Sequence, residues 1–194
     1  MIRFNRQNNK GFTLIETLVA VSIFSVSILG LMSVLSSGIS NTTYAKQKII
    51  ASYLAQEGIE YIRNMRDTYV LYGANGQAGW NAFNTKLSTN SCLATGNGCY
   101  FNADGLNYLD KTQPMNDLAF SPCVGSGGAC PEMKYDSATG KYNYSTGSNT
   151  GFFRKIKVIQ DQPNETKISS TVSWMQGSGN HSVTFSENLF NWVN

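Results

Sequence analysis

The sequence predicts an α+β protein in which a long N-terminal α-helix, its first half in a membrane, packs on the antiparallel β-sheet of a C-terminal head. The first observation behind this prediction is a run of 29 uncharged, mostly apolar residues from Thr17 to Ala45. The second is an alternation of apolar and polar residues after Phe152, which is typical of strands with one buried face. The third is the composition, 41% hydrophobic and 14% charged, which argues against a disordered chain.

The uncharged run is long enough to cross a bilayer, since about 20 apolar residues do so as an α-helix. A buried core helix is one alternative, but such a helix in a small domain normally keeps a polar face. A cleaved secretory signal peptide is another, but this run is longer than such a signal, and Ser36–Ser40 lacks an A-x-A-like cleavage site. We therefore expect a retained transmembrane helix.

One acidic residue, Glu16, stands at the start of this apolar helix. A carboxylate in the apolar part of a bilayer costs about 2.5–3.5 kcal/mol, so it requires a partner. Lys10 and Gly11 come immediately before Phe12. If the chain were cut after Gly11, the new amine of Phe12 would lie one helical turn from Glu16, or within reach of the same carboxylate in a neighbouring molecule. In a low dielectric such a pair is stronger than in water.

The segment GFTLIE at residues 11–16, followed by the uncharged helix, resembles the class III signal of type IV pilins and of the related pseudopilins of type II secretion. The resemblance implies a pilin-like fold, cleavage by a membrane-embedded prepilin peptidase between Gly11 and Phe12, and methylation of the Phe12 amine. It also implies that Phe12 and Glu16 pair during subunit assembly. Residues 51–67 resemble the minor-pilin and pseudopilin branch typified by the type IV pilus modification protein.

These observations divide the chain into four segments. We expect a leader peptide over residues 1–11, a transmembrane or filament-core helix over 12–45, an amphipathic helix packed on the head over 46–67, and a globular pilin-like head over 68–194. Three basic residues and no acidic residue precede the span, which favours a cytoplasmic N-terminus and an exported head.

Beyond Ala45 the apolar residues form a stripe instead of covering the whole helix. Their spacings of one, three, four and seven predict one helix face, which we expect to pack on the head. The helix should run from Phe12 to about Arg66, or ~55 residues and ~80 Å. The predicted packing face consists of Ile49, Ile50, Tyr53, Leu54, Tyr61, Ile62 and Met65.

Four cysteines occur in the head as two pairs of equal spacing, Cys92 with Cys99 and Cys123 with Cys130. Three disulfide pairings are formally possible. The glycine-rich spacers favour bridges within each pair, because such a spacer can fold back on itself. A zinc site is the rival interpretation, but structural zinc motifs usually space paired cysteines by two to four residues. Disulfides also agree with an exported head.

The C-terminal third predicts three strands, at residues 152–160, 167–176 and 182–190, linked by short turns as an antiparallel meander. In the first strand Phe152, Arg154, Ile156 and Val158 share one side. The striped helix should cover the apolar face of this sheet. Between residues 68 and 151 turn-forming sequences such as Asn75-Gly76 dominate. The predicted sheet core consists of Trp174, Phe185, Leu189 and Trp192.

Few residues suggest catalysis or metal binding. His181 is the only histidine, and we expect it in an exposed turn. No G-x-S-x-G, H-E-x-x-H or P-loop pattern appears. Asp104, Asp110 and Asp117 lack the tight spacing of a calcium loop. We therefore predict a protein that is not an enzyme, with no catalytic residue, cofactor or metal.

Charge also limits the choice of partner. The formal net charge of +3 comes entirely from the leader, because the remaining chain carries twelve basic and twelve acidic residues. This balance makes nucleic-acid binding through bulk charge unlikely. The expected partners are the prepilin peptidase, other pilin subunits, an inner-membrane assembly platform and the membrane itself.

The main functional hypothesis is a structural prepilin that assembles into a type IV pilus-like filament. One alternative is a minor pilin at a filament tip whose head binds a surface or DNA. Another is a pseudopilin that forms the piston of a type II secretion machine. In each case we expect a single-pass protein of the cytoplasmic membrane that later joins an extracellular or periplasmic filament.

Overall fold

A computed structural model describes residues 11–89, 92–93, 96–102 and 119–192. Its contacts divide the chain into two units, one ending at Ala45 and a globular unit at Lys46–Asn194. The helices are α1 at Leu14–Tyr72 and α2 at Gly76–Thr89. The strands are β1 at Cys99–Phe101, β2 at Phe120–Pro122, β3 at Glu132–Asp136, β4 at Lys141–Asn143, β5 at Ser148–Gln162, β6 at Glu165–Gln176 and β7 at Gly179–Phe190. A long helix followed by an antiparallel sheet is the predicted α+β, pilin-like architecture.

Helix α1 has 59 residues, beginning two residues later and ending six residues later than the predicted bounds. All nine of its buried residues lie at or beyond Ala51. At its end, the N–H of Gly73 donates to the carbonyl of Tyr69 at 2.9 Å. The extra turn and a half arises because Tyr69 and Val70 are buried in the core of the globular unit.

The buried face of α1 differs from the predicted stripe. Ile49 and Tyr53 are 57% and 68% exposed, so their assignment to the packing face was wrong. Ala51 and Gly58 are buried in their place. Small residues occupy this face because the sheet comes very close: a Cβ on Gly58 would collide with the hydroxyl of Ser170.

Helix α2 was not predicted, since Asn75-Gly76 suggested a turn. The side chain of Asn75 instead caps the helix, accepting a hydrogen bond from the N–H of Ala78 at 2.8 Å. Trp80, Phe83 and Leu87 follow at helical spacing and are completely buried. Their burial fills the part of the core that the predicted sheet and α1 left open.

The seven strands form one sheet in which β5 is central. One edge of β5 pairs with β6, and β6 pairs with β7. The other edge of β5 pairs with β3 near Phe153 and with β1 at Ile156. All of these pairings are antiparallel, and β5 to β7 form the predicted meander.

The predicted sheet core is correct in part. Trp174 and Leu189 are buried, and Phe185 is half-buried against the core. Trp192 is 58% exposed, so its assignment to the core was wrong. Strand alternation explains the error, because Leu189 and the buried Asn191 share the inner side whereas Trp192 has the opposite parity.

His181 was also assigned wrongly to an exposed turn. It lies in β7 directly opposite Trp174, and it is half-buried. The two rings stack with their centroids 5.6 Å apart. The strand begins three residues before the predicted start because Gly179, Asn180 and His181 continue the ladder with β6.

Both cysteine pairs are bridged within themselves, Cys92 to Cys99 and Cys123 to Cys130. Cys92 and Cys99 are completely buried and belong to the main core cluster. The N–H of Val158 on β5 also donates to the carbonyl of Cys92 at 2.8 Å. The first bridge therefore ties a loop with few apolar side chains to the centre of the sheet.

Candidate functional site: the start of helix α1

Thr13 and Glu16 form a reciprocal pair at the first turn of α1. The carboxylate oxygen Oε2 of Glu16 accepts hydrogen bonds from the backbone N–H and the hydroxyl of Thr13, each at 2.8 Å. In return, the hydroxyl oxygen of Thr13 accepts the N–H of Glu16 at 3.4 Å. This arrangement is a capping box, which satisfies backbone donors that the first turn of a helix leaves without partners.

Gly11 and Phe12 lie immediately before this cap, outside the helix. Both are exposed, and the Phe12 side chain is 84% exposed. A Cβ on Gly11 would meet no atom within 4 Å. The bond between these two residues is therefore open to another protein, and the folded chain imposes no requirement for glycine at position 11.

The pairing of Glu16 with Phe12 is not formed in this uncut chain, where the nitrogen of Phe12 belongs to an uncharged peptide bond. Thr13 is thus a local partner of Glu16, and this capping box was not predicted. The signal was available in the sequence as T-x-x-E at residues 13–16. Glu16 thus has a structural task before any cleavage, and the proposed charge pairing would be an additional one.

Several polar side chains in the apolar part of α1 are hydrogen-bonded within the helix. The hydroxyls of Ser22, Ser25 and Ser27 each donate to the carbonyl four residues earlier at 2.8 Å. Thr42 and Thr43 make the same type of bond at 2.9 and 3.0 Å. Because these groups need no water, they do not prevent the helix from entering lipid.

The apolar surface of the same segment is uncovered. Every described residue from 11 to 43 is exposed, including the large apolar side chains of the run. Helix α1 is also the one helix in the described part of the chain that is long and apolar enough to cross a membrane. Lipid or other helices must therefore cover this surface, since an exposed apolar surface of this size is not stable in water.

Residues 6–32 match the family model of the prokaryotic N-terminal methylation motif. The chain carries a type IV pilin-like prepilin signal. The match covers the Gly11–Phe12 bond, the capping box and the first half of the apolar run. No curated protein and no solved structure matches the chain.

The prepilin signal and the apolar helix together fit a single-pass, membrane-anchored precursor. The signal also suggests a structural role and not an enzymatic one. Within the described ranges, no three His, Cys, Asp or Glu side chains are grouped closely enough to hold a metal ion. Asp104, Asp110 and Asp117 lie outside the described residues.

A buried arginine in the globular unit is a second feature that the sequence did not reveal. The predicted strand grouped Arg154 with Phe152 and Ile156 on one side but did not indicate that its charge is buried; the side chain is 3% exposed. Its guanidinium lies 3.0 Å from a carboxylate oxygen of Glu57 on α1 and covers the Phe101 ring with its Cζ atom 4.5 Å from the ring centroid. This charged contact joins α1 to the sheet, and its role is structural.

Proposed function

We propose that the chain is the precursor of a structural subunit of a type IV pilus-like filament. In this proposal a prepilin peptidase cuts between Gly11 and Phe12 and the new Phe12 amine is methylated. The observation that carries the proposal is the prepilin signal at residues 6–32 on a helix whose apolar surface is not covered by any of the described residues. The exposed Gly11–Phe12 bond, next to a well-formed helix start, supports the position of the cut.

Assembly would use the charge that cleavage creates. The Phe12 amine of an entering subunit would lie beside the Glu16 carboxylate of a neighbour, where a low dielectric strengthens their attraction. The exposed apolar surfaces of residues 14–39 would then pack against each other in the filament core. Burial of apolar surface, at roughly 25 cal/mol per Å², would provide most of the stabilisation.

The expected partners follow from this route. The precursor would meet the prepilin peptidase in the membrane, then an inner-membrane assembly platform and other pilin subunits. The N-terminus would be cytoplasmic and the head extracytoplasmic before the subunit enters an extracellular or periplasmic filament. The basic residues Arg3, Arg6 and Lys10 before the span support this orientation.

Minor tip pilins and type II pseudopilins would share this processing route, so stoichiometry is the measurement that separates the roles. Purified filaments made mainly of this chain would indicate a major subunit. Quantitative mass spectrometry of sheared filaments measures the share of this chain among the filament subunits. A trace amount at filament tips would indicate a minor pilin, and retention in a short periplasmic assembly would indicate a pseudopilin.

Processing is tested at the mature amino terminus. Mass spectrometry of the native product should give an N-terminal peptide that begins at Phe12 and carries one methyl group. Gly11→Val should leave the precursor uncut, whereas Gly30→Val in the same apolar segment should be processed normally. A native product that retains Met1 would exclude this role.

The two tasks of Glu16 can be separated with two matched variants. Glu16→Gln keeps an acceptor for the capping box but removes the charge, whereas Thr13→Ala weakens the cap and keeps the charge. If the charge pairs with the Phe12 amine, Glu16→Gln filaments should fall to a small fraction of the normal yield and Thr13→Ala filaments should form. Membrane insertion and cleavage, measured by fractionation and mass spectrometry, serve as controls. Normal assembly of Glu16→Gln would contradict the pairing.

A further inference from the structure

Three lysines form a cluster on the outer side of the sheet, which we call the outer sheet face. Lys155 and Lys157 lie on β5, and Lys167 lies on β6 opposite Ile159. They point away from the core, because the intervening Ile156, like its neighbours on the inner side, is completely buried. Lysines two residues apart in one strand, or diagonal across two strands, are separated by about 7–8 Å. The balanced charge of residues 12–194 therefore conceals a local positive surface.

No described carboxylate pairs with these lysines. None of the ion pairs in the described part of the chain includes Lys155, Lys157 or Lys167. Among the described side chains, the carboxylates on this side of the sheet are Glu132, opposite Phe153, and Glu165, two residues before Lys167 on β6. Glu132 is already bonded through its Oε1 to the N–H of Gly151 at 2.6 Å. Like charges at this spacing repel, so the cluster favours an anionic partner.

The backbone of Gly98 holds two of the lysines in place. Gly98 has a φ of +85°, and a Cβ there would lie 3.0 Å from Cγ of Lys155 and 3.2 Å from Cγ of Lys157. The two side-chain stems thus lie against the backbone of Gly98, the residue before the buried Cys99. This support limits the movement of the stems while both ammonium groups can reach solvent.

Residues with hydroxyl groups lie in register with Lys155 and Lys157 on the neighbouring strands β6 and β7. Lys155 lies in register with Thr171 and Thr184, whose hydroxyls are 2.9 Å apart. Lys157 lies in register with Ser169 and Ser186. Each hydroxyl can both donate and accept a hydrogen bond. A flat surface of ammonium and hydroxyl groups matches a ligand that carries both carboxylates and hydroxyls.

We propose that the outer sheet face binds a linear acidic polysaccharide through Lys155, Lys157 and Lys167. Carboxylates of the polymer would pair with the lysines, and sugar hydroxyls would bond to the serine and threonine hydroxyls between them. The exposed aromatic side chains on this side of β5 to β7 are Phe153 and Phe190, which lie opposite Ser173 and Glu165, near the two ends of β6. Proteins that bind single-stranded nucleic acid instead stack successive bases on neighbouring aromatic rings. This activity goes beyond the proposed filament role and does not depend on it.

The test is a binding measurement on the full chain in lipid nanodiscs, with polygalacturonate as the probe. Wild type should bind polygalacturonate, bind neutral dextran at least about tenfold more weakly, and lose affinity as salt rises. The triple variant Lys155→Gln, Lys157→Gln, Lys167→Gln should bind roughly 10- to 100-fold more weakly. The triple change to arginine should retain binding.

A control triple removes the same charge elsewhere, at Lys46, Lys86 and Lys141, and should bind as wild type does. Equal loss in this control, or equal binding of dextran, would overturn the proposal. Tighter binding of single- or double-stranded DNA than of polygalacturonate, through the same lysines, would also overturn it in favour of a nucleic-acid partner. If the triple glutamine variant does not fold, the single variant Lys157→Gln is tested instead. Its affinity for polygalacturonate should be about threefold lower than that of wild type.

Discussion

The two halves of α1 belong to one helix but differ in burial and in the arrangement of their apolar side chains. None of the described residues from 11 to 43 is buried, whereas between residues 51 and 70 nine are buried. The first half is apolar around its whole circumference, and the hydroxyls of Ser22, Ser25 and Ser27 are bonded within the helix. The second half is apolar on one face, and small residues on that face allow the sheet to approach. The comparison shows that apolar content alone does not identify a core: the most apolar part of this chain lies outside it.

The largest expected effect comes from a matched pair of glycine substitutions, Gly58→Leu and Gly38→Leu. A side chain at position 58 would collide with Ser170 and press on Ile156, so we expect the globular unit to lose about 3 kcal/mol of unfolding free energy. A Cβ at position 38 meets no atom within 4 Å. Gly38→Leu should leave the unfolding free energy of the globular unit unchanged, as measured by denaturant titration in detergent.

Equal losses in the two variants would contradict the distinction between the halves. Such a result would mean that the contacts of residue 38 with lipid or detergent affect the folding of the globular unit. Gly58→Ala provides an intermediate case. It should cost less than Gly58→Leu, because the hydroxyl of Ser170 can rotate away from a single methyl group.

The second effect concerns the first disulfide. Replacing both Cys92 and Cys99 by serine opens a short loop and introduces two hydroxyls into the core, so we expect a loss of about 2–3 kcal/mol. The matching change at Cys123 and Cys130 should cost less, because its loop includes exposed residues such as Val124. Thermal unfolding of the two variants compares them, and the helix content of the membrane segment should be the same in both.

The smallest effect compares two glutamates on the second half of α1. Glu57→Ala leaves the buried Arg154 without its carboxylate, and we expect a loss of about 1–2 kcal/mol. Glu60 also pairs with an arginine, Arg63, but the Glu60 side chain is 62% exposed, and Arg63 keeps a second carboxylate partner, Glu187. Glu60→Ala should therefore cost less than about 0.5 kcal/mol. Denaturant titration separates the two, and a larger loss from Glu60→Ala would refute the assignment of the buried pair.

Local patterns determined much of this structure. Thr13 and Glu16 act within one helical turn, so their spacing in the sequence is already their spacing in space. The same holds for the alternation along β5 and for the six-residue spacers between the cysteines of each bridged pair. A pattern of this kind is readable because the chain connects its members directly. The prepilin signal belongs to this class, and it carries most of the functional inference.

Tertiary structure decided what depends on distant partners. The residues around Gly58 do not indicate that Ser170 lies so close to it. The residues around Asn75 do not indicate that α2 is needed to complete the core. The lysine cluster is similar, because Lys167 joins Lys155 and Lys157 only through the pairing of β5 with β6. Strand register sets these neighbours, and register depends on the packing of the whole globular unit and not on the local sequence.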